Sequence, residues 1–60
     1  MRYEIEQTII RLNELRFGPY WTEAIRLERM MTMGTAAEAA IAIDRARTLL
    51  AGPARRLRVY

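Results

Sequence analysis

The 60-residue sequence contains no cysteine, no histidine, no serine and no lysine, and each absence removes a class of chemistry. Without Cys there is no disulfide, and without Cys and His a structural zinc site loses nearly all of its usual ligands. The missing four also include the commonest general base, the best nucleophiles and the Schiff-base amine. What survives is carboxylate chemistry, which needs two acids converging on a cleft with their proton affinities driven apart by different surroundings. The seven acids, Glu4, Glu6, Glu14, Glu23, Glu28, Glu38 and Asp44, are instead spread along the chain on mainly polar faces. Glu-x-x-His pairs for a metal-binding helical bundle cannot exist, and neither a calcium loop nor a glycine-rich phosphate loop is present. The expectation is a non-enzyme with no catalytic residues, no metal and no cofactor.

Long hydrophobic runs are missing too. The longest, such as Ala39 to Ile43, are far too short to span a bilayer or to form the apolar segment of a secretory leader. The expected location is therefore cytoplasmic, away from membranes. Arg with Leu, Val and Tyr near the C-terminus could sit at an anionic interface, but the segment is too short for a substantial amphipathic helix.

Small size sets the next bound. A domain of about 60 residues buries only about 60% of the surface its unfolded chain exposes, so it usually draws on disulfides, a metal or another chain. With the first two removed by composition, association with another chain is the expected source of extra stability.

All ten basic residues are Arg, a bias that codon usage alone can generate but that also suits planar, two-pronged recognition of carboxylate or phosphate. Their distribution is uneven. Met1 to Asp44 holds five Arg against seven acids, whereas Arg45 to Tyr60 holds five Arg and no acid, so the chain has a basic C-terminal end.

Three segments separate at Gly18-Pro19, Gly34-Thr35 and Gly52-Pro53, punctuation typical of helix ends. The pattern predicts an all-α fold with helices over about 3–17, 19–33 and 35–51, forming a helical domain over 1–52 that a dimer partner completes, followed by an extended basic tail over 53–60. In the first helix Ile5, Ile9, Leu12 and Leu15 share a stripe, although Tyr3-Glu4-Ile5-Glu6 also alternates as a strand would. Gly18 is the expected left-handed residue closing that helix, and Pro19 fits the first turn of the next. The second helix aligns Tyr20, Ala24, Leu27 and Met31. The third opens with Thr35-Ala36-Ala37-Glu38, a capping box, and aligns Ala36, Ala39, Ala40, Ile43, Ala46 and Leu50. Arg55 to Tyr60 alternates basic and apolar residues, so the two chain ends could pair as strands.

Apolar residues also fall off these stripes. Ile25, Met33, Ile41 and Leu49 do so, and Met30, Met31 and Met33 project in different directions around one helix. A helix that is apolar on more than one face is usually covered on more than one side. Phe17-Gly18-Pro19-Tyr20-Trp21 gathers three of the five aromatics at one corner, where they either plug the end of a helical hairpin or anchor an interface. The leading expectation is thus a small protein-protein interaction module, a dimerising adaptor, assembly subunit or inhibitor, with the second and third helices in contact with a partner. The expected interface residues are Tyr20, Trp21, Leu27, Met31, Ile41 and Leu49.

The alternative is a DNA- or RNA-binding regulator that sets Arg45, Arg47, Arg55, Arg56 and Arg58 against phosphates. A ribbon-type DNA reader needs an alternating strand directly before its first helix, whereas Phe17 to Trp21 is interrupted by Gly18-Pro19, and the third helix is rich in Ala rather than base-reading side chains.

Overall fold

The computed structural model describes residues 2–53, and these form three helices packed together: α1 (Arg2–Asn13), α2 (Trp21–Met33) and α3 (Ala36–Ala51). There is no strand among the described residues. Residues 3–6 are helical, which removes the extended option at that end and with it one partner of the proposed strand pair. The basic tail, apart from Pro53, lies outside the described residues.

The short α2–α3 connection turns the chain back on itself, and these two helices share the largest contact in the molecule. Small side chains make that approach close: Ala24 on α2 and Ala42 and Ala46 on α3 are essentially inaccessible. Around them Leu12, Leu15, Leu27, Met31, Ile43, Leu49 and Leu50 complete the core, with Ile5, Ile9, Tyr20, Trp21 and Met30 packed at its margin. The buried polar side chain among the described residues is Thr8, whose hydroxyl donates to the Glu4 carbonyl at 2.7 Å. No buried side-chain polar atom among the described residues lacks a partner, so the core carries no desolvation penalty of that kind.

α3 is rotated relative to its sequence stripe. Ala36 and Ala40 are exposed, while Ala42 and Leu49 face inward with Ala39, Ile43, Ala46 and Leu50. Burying a Leu removes far more apolar surface from water than burying an Ala, so the helix turns its Leu49 edge inward. The same helix touches both α1 and α2, which widens its buried arc beyond one narrow stripe.

α1 ends four residues earlier than the sequence pattern implies. After Asn13 the chain tightens, with amide N–H groups of Glu14, Leu15 and Arg16 donating to the carbonyls three residues back at 3.0–3.2 Å. This tightening keeps Leu15 inside the core while the chain turns toward α2. The left-handed position falls on Phe17, with φ of 64°, and no described glycine has positive φ. α2 then starts at Trp21 rather than Pro19, because Gly18 and Pro19 belong to the turn that the Gly18 carbonyl closes by accepting from the Trp21 amide.

The α2–α3 junction follows the sequence closely. Thr35 caps α3: its hydroxyl accepts from the Glu38 amide at 3.1 Å, and the Glu38 carboxylate accepts from the Thr35 amide at 2.8 Å. Gly34 is extended, but a Cβ there would sit 2.6 Å from the Met30 carbonyl oxygen and 2.8 Å from Glu38 Oε1. Glycine is required by this close approach rather than by its dihedral freedom.

Candidate interaction surface

The six interface residues expected from the sequence divide in two. Leu27, Met31 and Leu49 are core side chains, 1%, 5% and 9% exposed, so their apolar area is used within the chain and leaves none for a partner. α3 lies against one side of α2 and α1 reaches α3 as well, which covers the off-stripe Leu49 but leaves Met33 and Ile41 exposed. Tyr20 and Trp21 are half-buried at the core margin, and Ile41 is exposed on α3.

At the corner before α2, Trp21 packs on the core and carries two neighbours on its outer side. The Phe17 ring lies 6.4 Å from it, centroid to centroid, at a tilt of 58°. The Arg16 guanidinium carbon stands 6.0 Å from the same ring, within range of a cation–π attraction. The two readings of this corner therefore apply to different residues: Tyr20 and Trp21 plug the helix ends, while Phe17 is 86% exposed. A bulky aromatic that is both solvent-facing and in the left-handed region costs of order 1–3 kcal/mol of backbone strain that its own packing does not recover.

Of the exposed apolar surface, the sequence pattern missed Tyr3 and Ile10. Tyr3 and Ile10 stand on the outer side of α1, and Met33 at the end of α2. The signal was available as the seven-residue spacing of Tyr3, Ile10 and Phe17, which is separate from the Ile5–Ile9–Leu12 stripe. An open groove of about 530 Å³ runs along the outer side of α2, lined by Ile25, Met30 and Met33, with Arg26 and Arg29 beside them and Glu38 at its end.

The basic residues are also divided. Arg45 is exposed on α3, but Arg47 forms an ion pair with Glu4 of α1 and ties these helices together. Arg55, Arg56 and Arg58 lie outside the described residues. On α2, Arg26 pairs with Glu23 at 3.9 Å along the same helix.

Among the described residues, no three acids gather closely enough to hold a metal ion, and no helix is long and apolar enough to cross a membrane. No protein-family model, curated protein or solved structure matches the chain.

Proposed function

We propose that this chain is a small non-enzymatic helical module for protein-protein interaction, a dimerising adaptor, assembly subunit or inhibitor. The observation that supports it most directly is the set of large apolar side chains left in solvent, Tyr3, Ile10, Phe17, Met33 and Ile41, around a core whose buried polar groups are all satisfied. Single exposed apolar residues are ordinary on any protein surface. Five on a domain this small, one of them held out on a strained backbone, are better explained by a partner that covers some of them.

The test is sedimentation of the full chain over a wide concentration range, together with affinity capture from its native host at mild salt, with and without nuclease. Concentration-dependent self-association, or nuclease-resistant capture of one defined protein, supports the module. A chain that stays monomeric and captures nothing refutes it.

A second reading, a DNA- or RNA-binding regulator, rests on the acid-free Arg45 to Tyr60 segment. It is the weaker one because Arg47 already has Glu4 as its counter-charge. Capture that nuclease abolishes, with binding that collapses as salt rises, would favour it.

A further inference from the structure

The outward edges of α1 and α2 have the same residue spacing but different charged groups. Along α1 and the residue just past its end, Tyr3, Gln7, Ile10 and Glu14 are all exposed and recur at intervals of four, three and four residues, with Glu6 alongside. On α2, Thr22, Arg26, Arg29 and Met33 are all exposed and recur at the same intervals. That spacing makes each set a straight stripe along its helix, facing away from the core. The α1 stripe carries Glu14, with Glu6 on one flank and the exposed Arg11 on the other, and the α2 stripe carries Arg26 and Arg29 beside the Ile25–Met33 groove.

We propose that the partner of this surface is a second copy of the same chain, with the outer face of α1 in one copy lying antiparallel along the α2 groove of the other. The inference rests on the interaction-module reading above and names its partner. The antiparallel register is the one that matches the ends of the two stripes. It sets Tyr3 against Met33, where a thioether meets an aromatic ring, and Glu6 beside Arg29. Ile10 then covers the aliphatic stem of Arg26. In a parallel register Glu14 would instead face the Met33 thioether, and Tyr3 would face Thr22. Pairing α2 with α2 across a two-fold axis would bring the arginines of both copies together, a like-charge juxtaposition that opposes association. A foreign helix could also fit the groove, but every molecule of this chain carries an outer α1 face with matching spacing.

No ion pair within the described residues engages Glu6 or Arg29, so reversing either charge leaves the folded monomer's own pairs intact. Helices of 12 and 13 residues make a short contact, below the area of a standard stable interface, so association is weak and each charge counts.

Sedimentation equilibrium of the full chain tests this with four proteins: the parent, Glu6→Arg, Arg29→Glu and the double variant, each first shown by circular dichroism and thermal melting to keep its helices. Each single reversal is expected to weaken self-association by about tenfold or more. The double variant should recover it, because the two exchanged charges again meet with opposite sign across the contact. An equimolar mixture of the two single variants should likewise associate better than either alone. Single reversals without effect, or a double variant no better than the singles, would overturn the proposed pairing while leaving self-association through another surface. A parent that stays monomeric throughout yet captures one defined host protein would overturn the pairing and leave the module reading standing.

Discussion

Phe17 is the residue where stability and exposure oppose each other most clearly. Its φ of 64° suits Asn or Gly far better than an aromatic ring, and its ring is almost wholly in solvent. Replacing it with Asn should therefore raise the unfolding free energy of the isolated chain by about 0.5–1 kcal/mol, read as a higher urea midpoint at unchanged slope. Gly would relax the backbone equally but would gain less, since it also frees the unfolded chain. Leu12 gives the opposite case. It has no accessible surface, and Leu12→Ala should cost about 2–5 kcal/mol. At about 0.05–0.15 kcal/mol per residue a chain of this size has only about 3–9 kcal/mol in all, so this variant should be largely unfolded near body temperature by circular dichroism. Ile41→Ala, on an exposed position, should shift the melt little in the isolated chain.

At the scale of elements, the α2–α3 junction was the most legible part of the sequence, because a capping box and a glycine state their local geometry directly. Gly34→Ala should lower stability by about 1–3 kcal/mol although Gly34 is in an ordinary extended conformation, since the added methyl meets the Met30 carbonyl and the Glu38 carboxylate. Thr35→Ala should cost about 1 kcal/mol. The two together should cost less than their sum, because they weaken two arms of one capping box: once Gly34→Ala displaces the carboxylate from the Thr35 backbone amide, the loosened first turn already weakens the bond from the Glu38 amide to the Thr35 hydroxyl; urea titrations of the three variants would show it. Elsewhere the sequence was harder to read. α1 repeats its apolar positions through Leu15, and nothing local says that the tight turns after Asn13 deliver Leu15 to the core as well as a longer helix would. The facing of α3 could not be settled by a stripe of alanines, since which edge turns inward depends on where α1 and α2 lie. Leu49 looked surplus, and Leu27 and Met31 looked like interface residues, for the same reason: three helices that share one core cover each other from several sides.

Over the whole molecule, the charges do two kinds of work. The Glu4–Arg47 pair joins α1 to α3 at a partly exposed site, so Arg47→Met should change stability only slightly, within about 1 kcal/mol in a thermal melt. Glu6 and Arg29 on the outer faces of α1 and α2 form no ion pair within the described residues, and their influence should emerge only as concentration rises. Raising salt from about 0.05 M to 0.5 M shortens electrostatic reach severalfold, so it should leave the melting temperature of dilute protein nearly unchanged while dissociating the associated form. Trp21, the sole indole in the sequence, sits at the corner between Phe17 and the core, remote along α2 from Arg29. The molecule thus carries a fluorophore that watches one end of the bundle: ligands seating against the corner should move its emission toward the blue, and those that settle farther along should leave its colour untouched.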